Sequence, residues 1–295
     1  MRVGVIDIGS NTARLLVAAP TAGSAVDSVY ADRALLALGD EIERFGFISE
    51  LKLRETADHA RAYARTAREL GCRSIEVIVT APGRQSANAA ELRTALERAT
   101  SSPVRVLSAK AEGKLAFEGA VAQAGELPQR VTVCDVGGGS TEVVAGSPAE
   151  GPKICRCLDV GSLRLTRRFL EDDPPRKKAV RAARREVESH FEGLSIPETE
   201  AALATGGSAR SLRRLTGSRR LDAEELAGAV QAIAKKPSAE LAADLDLDPV
   251  RARTMLAGAL ILAEVQQRVG VPLEVARGGL REGAAYAMLT QLAAA

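Results

Sequence analysis

Asp7 and Asp135 are the side chains best placed in this sequence to do chemistry. Each closes an apolar run and is followed by an apolar residue and a glycine: VGVIDIGSNTARLLV over 3–17 and VTVCDVGGGSTEVV over 131–144. Both segments read as strand, acidic-glycine turn, strand. An Asp at a strand end, beside N–H groups bared by glycine and serine, can hold a hydrated cation while the turn holds phosphate. Two such turns can grip one phosphate chain from two sides. A dinucleotide-binding fingerprint is excluded by context, because it opens a helix after its glycines, whereas Ala13–Ala18 and Glu142–Ala145 read as strands.

The rest of the chain must position these turns. It has 295 residues, a prior for two domains, with 46% hydrophobic and 26% charged residues, a balance that supports a real core. Aromatic residues make up only 3% and Trp is absent, which argues against a nucleic-acid reader that stacks bases. The net charge is +2, so positive charge is local: Arg176, Lys177, Lys178, Arg181, Arg184 and Arg185 form one cluster, and Arg210, Arg213, Arg214, Arg219 and Arg220 another. Cys72, Cys134, Cys155 and Cys157 show no CxxC spacing and lie far in sequence from His59 and His190. Thiols in a reducing cytoplasm are therefore expected rather than a zinc site, with Cys134 a small buried hydrophobe in a strand. No signal peptide or membrane span is expected.

Strands are expected at Val3–Asp7, Arg14–Ala18 and Ser24–Val29, then a polar loop around Leu38-Gly39-Asp40. A helix over 49–70 has Ser49 as N-cap and Gly71 beyond its end. Ser74–Thr80 reads as a strand, 81–87 as a turn, 88–100 as a helix, Val104–Leu107 as a strand and 108–122 as a helix. The stretch AGELPQR (124–130) is the expected boundary, giving domains 1–123 and 124–295. In the second, Val131–Asp135, Glu142–Gly146, Lys153–Val160 and Ala201–Ala204 are expected strands. A basic helix spans 174–192, and Thr205-Gly206-Gly207-Ser208 turns into a helix with Ser208 as N-cap. A last strand (271–275) precedes a helix over 281–292, which could stay in the second domain or cross back to the first. The succession predicts α/β layers around mixed sheets.

The order DIGSNTARL (7–15), VTAPGRQSAN (79–88), LSAKAEGKLAFEGA (107–120), CDVGGGSTEVV (134–144), DVGSLRLTRRF (159–169), ATGGSARSLRRL (204–215) and GGLREG (278–283) resembles the exopolyphosphatase / guanosine pentaphosphate phosphatase family almost end to end. The resemblance implies a duplicated actin-like, sugar-kinase-like (ribonuclease H-like) two-domain fold with an interdomain cleft. It implies magnesium, with room for a monovalent cation such as K⁺, and release of terminal phosphate from polyphosphate or from pppGpp. By the family's motif Glu112 is the catalytic base that aligns and deprotonates the attacking water. Arg84 falls where the family places a phosphate-binding arginine.

The residues fit that chemistry independently. Breaking a phosphoanhydride needs cation-assisted neutralisation and a positioned water. Asp7 and Asp135 can hold magnesium, with Glu142 close enough to join them. Ser10, Asn11, Thr12, Ser140 and the amides of Gly137, Gly138 and Gly139 can donate to phosphate oxygens. Arg14 can do so too, or can face a helix and pair there. Gly206, Gly207 and Ser208 would aim a helix N-terminus at an anion, and Arg281 could bind phosphate or pair with Glu282.

Ala37, Ala111 and Arg253 stand where the family often has an arginine and two acids. They bear on substrate preference and rate more than on fold, and they keep open a non-catalytic polyphosphate or alarmone sensor. An actin-like ATP-dependent phosphotransferase is the other alternative. The chain matches the short two-domain form, so a shorter substrate path and lower processivity are expected. Expected partners are polyphosphate or guanosine pentaphosphate, not nucleic acid or membrane. A homodimer is compatible with the sequence, and a cytoplasmic location is expected. Asp135→Ala is expected to abolish magnesium-dependent phosphate release while circular dichroism shows a folded chain; unchanged turnover would remove Asp135 from the site.

Overall fold

The computed structural model describes residues 1–21 and 24–294. They form two compact units, Met1–Gln123 with Gly278–Ala295, and Ala124–Arg277. The first boundary falls where the sequence placed it. The C-terminal segment, which the sequence assigned to the second domain, packs instead with the first unit.

The first unit runs β1 (Val3–Ile8), β2 (Thr12–Thr21), β3 (Ser24–Leu35), α1 (Leu38–Phe45), α2 (Glu50–Glu69), β4 (Ser74–Val79), α3 (Ala81–Gln85), α4 (Ala89–Thr100), β5 (Val104–Val106) and α5 (Ala109–Ala122). Its sheet has the order β3-β2-β1-β4-β5. The hairpin pairs β1–β2 and β2–β3 are antiparallel, and β1–β4 and β4–β5 are parallel. Ser49 caps α2 by accepting from the Lys52 N–H, and Gly71 follows that helix with φ +75°. The expected polar loop around Leu38 is helix α1, and the expected turn at 81–87 contains the short helix α3. Both are too short for an apolar period to show.

The second unit runs β6 (Val131–Val136), β7 (Thr141–Ser147), β8 (Gly151–Leu158), α6 (Ser162–Phe169), α7 (Lys177–Phe191), β9 (Ala201–Thr205), α8 (Gly206–Thr216), β10 (Arg220–Leu221), α9 (Ala223–Ile233), α10 (Ser238–Asp244), α11 (Pro249–Arg253), α12 (Met255–Val269) and β11 (Leu273–Val275). Its sheet has the order β10-β11-β9-β6-β7-β8. Taken from the hairpin side, β8-β7-β6-β9-β11 repeats β3-β2-β1-β4-β5, with the same parallel and antiparallel pairs and β10 added at the far edge. This repetition is the duplicated actin-like, ribonuclease H-like α/β fold that the family resemblance implies. Cys134 is buried in the second core, as expected, and burial pushes its thiol up.

Both faces of the first sheet are covered. Ile6, Ile8, Leu15 and Val77 pack with Ala60, Ala64, Leu92 and Leu96 of α2 and α4. Val3, Val5, Leu16 and Ile78 pack on the other face with Leu115 of α5 and with Ala284, Ala285 and Met288 of the last helix, α13 (Leu280–Ala294). Strand alternation puts Asp7 and Arg14, paired across β1 and β2, on this second face. Among the described residues no helix is long and apolar enough to cross a membrane.

The glycines of GGLREG explain why the chain returns. A Cβ on Gly119 of α5 would lie 2.0 Å from the Gly279 carbonyl oxygen and 2.5 Å from the Gly283 nitrogen. One on Gly283 would lie 2.0 Å from the Leu115 carbonyl oxygen. Helices α5 and α13 thus meet backbone to backbone, which only glycine permits. Gly119→Ala is expected to lose about 3 kcal/mol of stability, measured by denaturant unfolding. Gly228→Ala, at a position in α9 with open space around it, is expected instead to gain up to about 1 kcal/mol from helix propensity.

Candidate active site

The two acidic-glycine turns have one construction. Asp7 pairs with Arg14 and Asp135 with Glu142 in their hairpins. The Gly9 N–H donates to the Thr12 carbonyl and the Gly137 N–H to the Ser140 carbonyl, both at 3.0 Å. Each turn is then braced by the chain that follows the third strand of its sheet. In the first unit Leu36 and Ala37 donate to the Asn11 carbonyl, and Gly39 of α1 donates to the Ser10 carbonyl at 2.8 Å. In the second, Ser162 donates to the Gly137 carbonyl, and Leu163 and Arg164 of α6 donate to the Gly138 carbonyl.

These braces fix which way the turn amides point. A trans peptide carries its C=O and N–H in opposite directions. With the Ser10 and Asn11 carbonyls turned to the 36–39 segment, the Asn11 and Thr12 N–H groups point away from it. With the Gly137 and Gly138 carbonyls turned to α6, the Gly138 and Gly139 N–H groups point away from α6. Adjacent N–H groups aimed together form an anion-binding nest. Helix α6 was not anticipated from the sequence, although its residues DVGSLRLTRRF stand in the motif order. Gly161 permits the approach: a Cβ there would lie 2.4 Å from the Gly138 carbonyl oxygen. Arg164, buried beside the turn, ion-pairs with Asp159.

Three oxygen-bearing residues stand in one row of the second sheet. Glu142, Asp135 and Thr205 are register partners across β7, β6 and β9, so their side chains share a face. Glu142 and Thr205 are buried. Asp135 lies against the start of α8, where a Cβ on Gly206 would meet its Oδ1 at 2.6 Å. Gly206 also has φ +86°, so glycine is required twice over. Buried oxygens without a hydrogen-bond partner remain at Thr205 Oγ1 and, in the first turn, at Asn11 Oδ1. Such atoms are expected where a ligand or water completes the site. Hard oxygen donors of this kind suit magnesium, which keeps several waters and takes one or two carboxylates. Among the described residues no three His, Cys, Asp or Glu side chains are grouped so that together they could hold a metal ion.

Glu112 and Arg84 come together. Glu112 lies in the first turn of α5, capped by Ser108, and is buried. Arg84 Nη1 donates to Glu112 Oε2 at 2.7 Å and to the Leu107 carbonyl at 2.9 Å. The guanidinium expected on phosphate therefore positions the candidate base. Both residues follow the C-terminal ends of parallel strands, β4 and β5, where ligands bind in open α/β sheets.

Other candidates fall elsewhere. Arg14 Nε donates to Thr12 Oγ1 at 3.1 Å, which supports the first turn. Arg281 lies 3.9 Å from the Glu282 carboxylate, and Glu282 accepts from the Gly279 N–H. Ser208 is not the cap of α8. That position belongs to Thr205, and Ser208 is buried, fitting against Gly258 with its hydroxyl 3.5 Å from the Val136 carbonyl. Gly207 does lie at the helix start, under the Arg251 guanidinium, where a Cβ would come within 2.4 Å of Cζ. Arg251 was not singled out from the sequence, which drew attention only to its neighbour. That neighbour, Arg253, caps the carbonyls that follow α6, reaching Leu170, Glu171 and Asp172.

Residues 16–292 match the model of the Ppx/GppA phosphatase family. The chain belongs to that family. It is 30% identical to Exopolyphosphatase 1 of Mycobacterium tuberculosis over 302 aligned positions, covering 96% of this chain and 87% of the relative. The crystal structure of an exopolyphosphatase-like protein superposes with a TM-score of 0.91 at 23% identity, covering 99% of this chain and 98% of that one. The Aquifex aeolicus PPX-GPPA enzyme gives a TM-score of 0.82 at 25% identity, with 97% and 99% covered. The first structure speaks to the fold alone.

In this Ppx/GppA family member the brace on the second turn can be tested by itself. Gly161→Ala would drive α6 off the Gly138 carbonyl and turn the nest amides out of line. A hydrogen bond to a charged group is worth about 1.5–3 kcal/mol, so affinity for a short polyphosphate probe is expected to fall about tenfold or more by calorimetry. Gly125→Ala, at a position with open space around it, is the control.

Proposed function

We propose that this phosphatase releases terminal phosphate from inorganic polyphosphate, an exopolyphosphatase activity. The observation that carries the reading is the duplicated, braced turn, whose outward amides we read as a nest for phosphate in each unit. The exopolyphosphatase name of the mycobacterial relative supports polyphosphate as the substrate. Guanosine pentaphosphate presents a similar terminal anhydride and is the second substrate to be tested.

Phosphoryl transfer to water depends mainly on positioning and charge neutralisation. Each unit offers its own turn amides to phosphate oxygens, those of Asn11 and Thr12 in the first and those of Gly138 and Gly139 in the second, with the Ser10 and Ser140 hydroxyls as further donors. Glu112 accepts the proton of the attacking water, its carboxylate held in place by Arg84. Magnesium, when bound, supplies neutralisation of the phosphate charge. Asp135 and Glu142 are the residues that would hold it, and Asp7 occupies the equivalent turn position in the first unit.

The test follows phosphate release from short polyphosphate, long polyphosphate, pppGpp and ATP, each with magnesium and with or without K⁺. Polyphosphate is expected to be cleaved. General-base assistance is worth about 10²–10⁴ in rate, so Glu112→Gln is expected to lose turnover on that scale while still binding polyphosphate. Near-normal release by Glu112→Gln would remove it as the base. Polyphosphate binding with no release by the wild type would favour the sensor, and phosphate transfer from ATP to an acceptor would favour the phosphotransferase.

A further inference from the structure

Cys155 and Cys157 lie two residues apart on β8, the edge strand of the second sheet. Alternation puts both side chains on one face, and their sulfurs approach to 3.6 Å. Cys157 is exposed and Cys155 half-buried, and neither is in a disulfide. We propose that this pair is a peroxide-reactive dithiol, with Cys157 the attacking thiol and Cys155 the resolving one, closing a reversible disulfide within the strand.

The exposed Cys157 thiolate attacks one peroxide oxygen. The O–O bond breaks, the departing hydroxide takes a proton and leaves as water, and Cys157 becomes a sulfenic acid. The Cys155 thiolate then attacks the Cys157 sulfur. The S–S bond forms as the S–O bond breaks, and the second hydroxide leaves as water. Two thiols and one hydrogen peroxide give one disulfide and two waters. No large movement is needed to bring the second sulfur to the first, because they are already in contact.

The strand geometry makes the product reducible. Residues two apart in an extended strand have Cα atoms about 6.6–6.8 Å apart, at the upper limit of about 6.8 Å that disulfides tolerate. Closure must shorten β8 locally, and an edge strand has a neighbour on one side only, so it can give. A strained disulfide has a high reduction potential and is readily returned to thiols. The other two cysteines are poor competitors: Cys134 is shut inside the second core, and burial pushes the Cys72 thiol up and away from the reactive thiolate. The pair also has a route to the rest of the sheet. Cys157 is the register partner of Glu142, which is the partner of Asp135, so puckering at β8 acts on the acidic row.

The experiment treats the full-length protein with hydrogen peroxide, alkylates the remaining thiols and measures intact mass. The wild type is expected to become two hydrogens lighter, to lose two alkylatable thiols and to recover both with dithiothreitol. Trypsin cuts after Arg156, so the disulfide should leave the peptides on either side of that bond linked. Cys155→Ser is expected to stop at a Cys157 sulfenic acid, trapped by dimedone, and to proceed faster to sulfinic acid. The proposal is overturned if both thiols stay open to alkylation, if the disulfide forms only between two chains, or if the wild type reaches sulfinic acid as fast as Cys155→Ser. These readouts are covalent and do not depend on the phosphatase reading.

Discussion

The site in each unit depends on one set of backbone hydrogen bonds: those from the chain after the third strand to the carbonyls of the acidic-glycine turn. A β-turn exposed at a strand end can orient its peptides in several ways. Occupying the Ser10 and Asn11 carbonyls from one side, and the Gly137 and Gly138 carbonyls likewise, leaves one orientation. The amides that result are aimed in advance, which is the condition under which fixed dipoles stabilise charge most. The shortness of α1 and α6 is consistent with this role. They need only present their first N–H groups to a neighbouring turn.

The second constraint is the crossing of α5 and α13. Glu112 sits in the first turn of α5, and any displacement of that helix moves its carboxylate. Gly119, Gly279 and Gly283 let the two backbones lock together, while Leu115 and Met288 fill the space against the sheet. Arg84 then fixes the carboxylate itself, bridging it to the Leu107 carbonyl that immediately precedes the helix cap. The glycines of GGLREG therefore act on the candidate base through the helix that carries it. Their importance is architectural, whatever Arg281 contributes.

Much of this was legible in the sequence, for reasons that can be named. The strands and turns were visible because buried strands are continuous apolar runs and the turn residues are distinctive. The duplication followed from two such patterns sharing one spacing. What was not legible depends on tertiary contact. α6 is amphipathic but only eight residues long, and its function is to meet a turn more than twenty residues away. The sequence GGS suggested a serine cap, but Gly206 adopts positive φ and the helix begins there with Thr205 as its cap, three residues earlier than expected, leaving Ser208 facing Gly258. The return of α13 to the first unit depends on a glycine contact with α5 that no local pattern reveals. Arg253 replaces a family acid, yet its guanidinium closes the end of α6, so its effect on the nest passes through the brace.

The two halves have diverged at the one row where the chemistry differs. In the first unit the partner of Asp7 is Arg14, so the pair is neutral. In the second the partner of Asp135 is Glu142, and Glu142 is almost fully buried. Like charges directly opposite each other in a sheet are destabilising, and more so where water is excluded. The row therefore calls for positive charge. The start of α8 supplies part of it, since the Asp135 carboxylate lies at Gly206 and a helix N-terminus carries about half a positive charge. The Arg251 guanidinium, against Gly207 at the same helix start, brings a full positive charge nearby. The asymmetry between Arg14 and Glu142 thus sets the halves apart: an acid faces a base across the first hairpin, and an acid faces an acid across the second.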